Sequence, residues 1–265
     1  MTARVLQLQG GFNFRELGGY LGAQGQPVRW HRLFRTAHLA TLTPADWTEL
    51  QTQGVRLVID LRSTAETLAA PDRLGPQMRY CHLPVFDDDE AESAASVAEL
   101  QRRFSRDPHS GYQRMMRVYR RLVTAPQAQA AYRRLFQILL TVPASDGVIF
   151  HCSAGKDRTG MAAIYLLAAL GVAPAQVKAD YLLTNPASAD HIARRVAAVK
   201  LGNGRVNFQH AVHDLASVNV DYFDQALTLI NYGYGGLTPY LHDVLGLTPA
   251  AQQALQQRYL EPRSR

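Results

Sequence analysis

Apolar residues along this chain follow two patterns. Val55 to Asp60, Arg79 to Val85 and Gly147 to His151 are apolar runs of strand length, and Val28 to Phe34 reads as a further strand. Elsewhere the apolar spacing lengthens to helical periods. Thr43-Pro44-Ala45-Asp46 opens a helix, with Thr43 suited to the N-cap, Pro44 to the first helical position and Asp46 to the positive end of the helix dipole. That helix is expected to run to Gln53 and stop at Gly54.

Ala91 to Thr141 is helix-like, with Met115, Met116, Val118, Tyr119 and Leu122 on one apolar face and the intervening arginines on a solvated one. Met161 to Leu170 is apolar throughout and reads as a buried helix, too short to span a bilayer. Further helices are expected at Pro174 to Leu183, Ala187 to Val199, Asp221 to Asn231, Pro239 to Val244 and Pro249 to Tyr259. Loops are expected at Leu201 to Gly204 and in the glycine-rich stretch Tyr232 to Gly236. Strands separated by helices predict an α/β fold with a central, mostly parallel sheet flanked by helices, with extra helices beyond it. No repeat and no Pro/Ser linker divides the chain, so residues 1–265 read as a single domain with C-terminal helical decoration.

Composition adds little to this picture. The chain is 47% apolar and 19% charged, ordinary for a globular protein, and its formal charge of +6 suits anionic substrates without specifying one. Cys81 and Cys152 are the two cysteines, too few for a disulfide scaffold, and Met1 to Gly10 has no apolar core of signal-peptide length. A cytoplasmic protein without an integral membrane segment is expected.

The stretch His151-Cys152-Ser153-Ala154-Gly155-Lys156-Asp157-Arg158-Thr159-Gly160 carries the candidate chemistry. It joins a predicted strand to a predicted helix, with a thiol at the strand exit and a guanidinium at the helix start. Such a loop can wrap Ser153, Ala154, Gly155, Lys156 and Asp157 around a tetrahedral anion, because helix N-termini and nested amides favour negative charge. Arg158 can grip two oxygens of that anion. Cys152, placed among amides and beside a permanent cation, is in surroundings that lower a thiol pKa, and its thiolate could attack phosphorus in line. Gly155 fits a position needing a positive φ or close approach to the anion. Thr159 can donate its hydroxyl to the departing thiolate, and His151 is read as ordering the loop rather than as a base. Taken singly, a cysteine at a strand end is usually a buried small hydrophobe, and an arginine at a helix start is usually solvated. Their combination is far less ordinary.

Cys-x5-Arg-Thr preceded by His resembles the signature of the cysteine-dependent protein tyrosine phosphatases. The longer run His151 to Gly160 is similar to a bacterial tyrosine/serine phosphatase branch with a member active on lipids. Asn13-Phe14-Arg15-Glu16-Leu17-Gly18-Gly19, Leu33-Phe34-Arg35-Thr36-Ala37, Asp60-Leu61-Arg62-Ser63 with Glu66, and Asp180 to Asn185 resemble further motifs of that branch. The likeness spans about residues 10 to 185. It implies the tyrosine phosphatase α/β fold, a phosphocysteine intermediate, no metal and no cofactor. It also implies phosphorylated proteins or phosphoinositides as partners, with no nucleic acid. A phosphate-binding module without turnover, or a sulfur- or arsenate-handling enzyme, would lack a reason for Cys152 or for Thr159 respectively.

The leaving group needs a proton, so a carboxylic acid should stand near the loop. Asp157 inside the loop is the first candidate, with a salt bridge that holds the loop in shape as its alternative role, and Asp87 of the Asp87-Asp88-Asp89 run, whose bland reading is a solvated acidic turn, is the second. Asp60 is expected to pair with an arginine at its strand end. Lys156 is expected as a second cation at the pocket mouth, favouring substrates with more than one phosphate. Cys81 is read as silent core, with a protective disulfide to Cys152 as the alternative.

Overall fold

The computed structural model describes residues 4–87, 97–201 and 206–262. Five strands form one sheet: β1 (Arg15–Glu16), β2 (Leu33–Thr36), β3 (Val55–Asp60), β4 (Arg79–His82) and β5 (Gly147–His151), in the order β1-β2-β5-β3-β4. Only β1 runs antiparallel; β2, β5, β3 and β4 are mutually parallel. The expected mostly parallel sheet is therefore present. β5 lies in the middle, hydrogen-bonded on both sides and buried along its whole length, which is why its sequence is a continuous apolar run.

β3 and β5 match their expected bounds. The strand expected at Val28 to Phe34 forms instead at Leu33–Thr36. His31 takes a left-handed φ of 62° and breaks the extended run, while Val28 bridges to Leu260. β4 stops at His82, earlier than expected, although the Leu83 and Val85 amides still bond the Asp60 and Leu61 carbonyls.

Side chains alternate across the sheet. Phe34, Val58 and Ile149 face one way and pack with Trp47 and Leu50 of α1 (Pro44–Thr52). Leu33, Leu57, Ile59, Val148 and Phe150 face the other way, into a deep helical layer. That layer includes α4 (Ser110–Thr124), α5 (Pro126–Thr141) and α6 (Arg158–Ala169). α2 (Thr64–Ala69) follows β3, and α3 (Val97–Phe104) precedes α4. Beyond α6 come α7 (Pro174–Leu182), α8 (Thr184–Ala187), α9 (Ala189–Leu201), α10 (Val206–Ala216) and α11 (Val220–Tyr234). The chain closes with α12 (Leu237–Pro239), a π-turn (Tyr240–Val244) and α13 (Pro249–Tyr259). The extra helices are thus present, and α4 packs against α10 and α11.

Local signals explain most boundaries. Thr43 and Asp46 make a reciprocal capping box at α1, and Gly54 follows with φ 85°. Ser63 and Glu66 do the same at α2. α11 runs through Gly233, past the expected end, and stops at Gly235, whose φ of 77° makes a left-handed cap. Part of the loop expected at 201–204 lies outside the described residues. Among the described residues no helix is long and apolar enough to cross a membrane.

In the helical layer, Tyr132 and Tyr165 stand edge to face at 5.1 Å, while Tyr165 and Tyr240, and Tyr119 and Tyr222, are tilted pairs at 5.4 Å. α6 runs through this packing with nearly every side chain buried. Leu166→Ala is expected to cost about 2–5 kcal/mol, read as a lower denaturant midpoint with an unchanged m-value.

Candidate active site

The 151–160 segment makes the predicted strand–loop–helix. β5 ends at His151, Cys152 is buried, and α6 begins at Arg158. Asp157 stands at the N-cap without capping the helix through its side chain, so no side chain there takes up the first-turn amides. Gly155 has φ 67°, as expected. Its close approach is to β2, however: a Cβ would lie 2.3 Å from the Thr36 carbonyl oxygen. The glycine lets the loop lie against the end of the neighbouring strand.

Arg158 meets Glu66 fork to fork, Nη1 to Oε2 at 2.5 Å and Nη2 to Oε1 at 2.9 Å. Burial opposes a charged guanidinium here, but the Glu66 hydrogen bonds and the negative charge of Cys152, Glu66 and Asp157 push its pKa up. Glu66 also accepts from Ser153 Oγ at 2.5 Å and caps the Ser63 amide at 2.9 Å. One carboxylate thus joins the helix after β3 to the loop after β5. Tyr132 donates to the Arg158 carbonyl at 3.1 Å. Thr159 is buried in the first turn of α6 with its hydroxyl unpartnered.

Lys156 does not project at a pocket mouth. It is 4% exposed, and its Nζ lies 2.9 Å from Asp157 Oδ2 and 3.0 Å from Oδ1. Asp157 Oδ1 also accepts from Tyr119 Oη at 2.9 Å, and Tyr119 accepts from Tyr181 Oη at 2.9 Å. Burial, with Asp157 next, holds Tyr119 far above the usual phenol value, so it stays a donor. Asp87 is exposed and bonds the α2 end: Oδ1 accepts the Thr64 amide at 2.7 Å and Oδ2 its hydroxyl at 3.1 Å. These bonds hold its carboxyl below the usual range. Asp88 and Asp89 lie outside the described residues.

Behind the strand ends sits a buried charge cluster. Asp60 pairs with Arg62, as expected, at 2.6 Å, and Arg62 also meets Asp72 at 2.9 Å. His151 Nε2 lies 3.0 Å from Asp72 Oδ2 without being aligned as a hydrogen bond, and its Nδ1 lies 3.3 Å from the Cys152 carbonyl oxygen. Ligand atoms of Asp60, Asp72 and His151 come within 4.8 Å of one another, a spacing that could hold a cation. The Arg62 guanidinium already meets both carboxylates, so the donor set does not fit a metal.

Cys81 pairs with Ile59, which pairs with Phe150, so two strand spacings, about 9–10 Å, separate Cys81 from the β5 position next to His151. A disulfide needs Cα atoms within about 7 Å. Both cysteines are free, and burial pushes the Cys81 thiol up. The register thus favours silent core over a protective disulfide.

In the sequence Glu66 stands only as part of a resembled motif, and its bonds to Arg158 on another element leave no local mark. Asp72 and Tyr132 carry no signal in the sequence, and Tyr119 shows there only as part of an apolar helix face, because their partners lie on other elements.

The fold, and the loop with its thiol and guanidinium at the end of a central parallel strand, fit the class of phosphomonoester hydrolases. Residues 6–261 match the tyrosine phosphatase family, and the chain belongs to it. A Cupriavidus necator protein named as a tyrosine-protein phosphatase is 33% identical over 88% of this chain and 81% of its own length. The triple specificity protein phosphatase PtpB of Mycobacterium tuberculosis is 30% identical over 90% of this chain and 93% of its own length. A tyrosine-protein phosphatase of Nostoc commune is 32% identical over 57% of this chain and 47% of its own. The protein is an enzyme of the protein-tyrosine-phosphatase type.

Burial works against the Asp60 carboxylate, but His151 and Arg62 outweigh it and bring its pKa down to about 2. A depressed carboxylate stabilises the fold fully above its ordinary value of 3.8 and loses that contribution as pH falls toward about 2. Asp60→Ala leaves Arg62 short of a partner, and a loss of about 3–5 kcal/mol at neutral pH is expected. Chemical denaturation between pH 2 and 7 checks both: the mutant's deficit should shrink as acid protonates Asp60 in the parent.

Proposed function

We propose that this phosphatase hydrolyses phosphotyrosine through a phosphocysteine intermediate on Cys152. The observation that carries this reading is the strand–loop–helix itself, with buried Cys152 at one end and Arg158, braced by Glu66, at the other. The loop amides of Ser153 to Arg158 and the Arg158 N–H groups not turned to Glu66 would receive the phosphate. The Cys152 thiolate attacks phosphorus, the bond to the ester oxygen breaks, and an acid protonates the departing phenolate. Water then attacks phosphorus, the P–S bond breaks, inorganic phosphate leaves and the thiolate is restored. Thr159, with its free buried hydroxyl, would donate to that sulfur as it leaves.

Asp157 is the proton donor in this reading, and takes the proton from water in the second step. It lies in the loop and is partly exposed, whereas Asp87 is tied to the Thr64 amide and hydroxyl at the start of α2. Lys156 pairs with Asp157 and would turn to the phosphate when substrate enters. Phosphoserine/threonine proteins and phosphoinositides are proposed as further substrates; the name of the mycobacterial relative points the same way. Residues 1–265 are proposed to act as one phosphatase domain. A cytoplasmic setting suits two unpaired thiols, one of them reactive.

Hydrolysis of p-nitrophenyl phosphate in EDTA tests the mechanism. Cys152→Ser is expected to lose about a thousandfold or more, with wild-type activity insensitive to the chelator. Asp157→Asn should lose the basic limb of the pH–rate profile, while Asp87→Asn keeps it. A fully active serine variant would sink the phosphocysteine route. Phosphopeptides and phosphoinositides assayed side by side rank the substrates.

A further inference from the structure

Three charged residues with no part in the chemistry above converge behind the loop. Asp180 of α7 accepts from Arg35 Nη1 of β2 at 2.6 Å and from Arg15 Nε of β1 at 3.1 Å. Arg15 Nη2 also bonds the Asp180 carbonyl at 3.0 Å and Thr184 Oγ1 at 3.1 Å, and Arg15 Nη1 bonds the Asn13 side chain. All three charged side chains are buried. Two guanidinium groups thus share one carboxylate away from water, an arrangement that apolar residues of similar volume would often replace at no loss of stability. Burial first, and Arg35 next, bring the Arg15 pKa down to about 10, so Arg15 remains charged at neutral pH.

The cluster ends on the loop backbone. Arg35 Nη2 donates to the Gly155 carbonyl at 2.9 Å. Asn13 Nδ2, held by Arg15, donates to the Ala154 carbonyl at 2.9 Å. The His38 amide donates to the Ser153 carbonyl at 3.2 Å. Three successive carbonyls are therefore held from outside. In a planar trans peptide the C=O and N–H point in opposite directions. Fixing the carbonyls of Ser153, Ala154 and Gly155 outward turns the amides of Ala154, Gly155 and Lys156 the other way.

Resting on the phosphocysteine reading above, we propose that Arg15, Arg35 and Asp180, with Asn13, are positioning residues that aim the loop amides at the phosphate. None of them touches the substrate. They act by removing the loop's freedom to rotate its peptides, so that the amide cradle is ready before the anion arrives. Their buried excess positive charge adds a fixed field of the same sign.

Arg35→Lys keeps the charge but cannot reach Asp180 and Gly155 together. It is expected to weaken competitive inhibition by inorganic phosphate about 10- to 100-fold and to lower kcat/KM by a similar factor. Asn13→Ala, which frees the Ala154 carbonyl, is expected to weaken phosphate inhibition about 10-fold. Thermal melts accompany both. A purely structural role would lower the melting temperature but leave phosphate affinity of the folded fraction unchanged, and that result overturns the proposal. In 15N-labelled wild-type protein, inorganic phosphate should shift the amides of Ala154, Gly155 and Lys156 more than those of Val148, Ile149 and Phe150 in β5. If these three amides stay still while phosphate saturates the site, the proposal fails, whatever the variants do. Cys152→Ser separates the two readings: an active serine variant removes the phosphocysteine route, whereas an inactive one beside unaltered Arg35→Lys and Asn13→Ala overturns only the positioning role.

Discussion

Arg158 and Glu66 follow the neighbouring strands β5 and β3, and their fork-to-fork pair joins the segments that build the site. Arg158 starts α6, and Glu66 belongs to the first turn of α2. Glu66 can face the loop only because Ser63 caps α2 at the end of the Asp60-Leu61-Arg62 turn. Without the carboxylate, a guanidinium beneath a mostly buried loop would lack a partner, and the Ser153 hydroxyl would lose its acceptor. The pair also fixes the orientation of the planar guanidinium, which a bidentate grip on a tetrahedral anion needs.

Around this pair the protein surrounds one short loop with buried charge. Asp60, Arg62, Asp72 and His151 lie on one side, and Arg15, Arg35 and Asp180 on another. Tyrosines from the helical layer close a third, with Tyr119 on Asp157 and Tyr132 on the Arg158 carbonyl. Asp60 with Arg62, and Asp180 with Arg15 and Arg35, have lost hydration and are paired through directed hydrogen bonds. Such groups are stiff, because moving any one of them strands another in a low dielectric. A loop braced in this way meets an incoming anion with little reorganisation left to do.

Much of the scaffold was legible in the chain. β3, β5 and α13 have the expected bounds, and the Thr43 cap, Pro44 start and Gly54 stop of α1 all appear. The misplaced strand at Val28 to Phe34 turned on His31, an ordinary residue in a left-handed conformation that composition does not reveal. Within the site, Gly155 was correctly read as a positive-φ position, but the surface it approaches belongs to β2. Lys156 was read as an exposed cation because lysine usually is. The structure buries it against Asp157, beneath α4, whose Met115 sulfur lies 4.0 Å from the ammonium.

By itself the sequence determined the order of elements, their caps and the 151–160 loop with its thiol and guanidinium, because each of these depends on residues a few positions apart. Helix caps, apolar runs and left-handed glycines are local physics, written within one or two turns of chain. Only the tertiary structure decided which charge meets which: Glu66 with Arg158, Asp180 with Arg15 and Arg35, Tyr119 with Asp157. Those partners lie tens to more than a hundred residues apart, and a buried ion pair has no periodicity along the chain to announce it. Sheet order and helix packing bring them together, and the cost of leaving any of them unpaired then keeps them there.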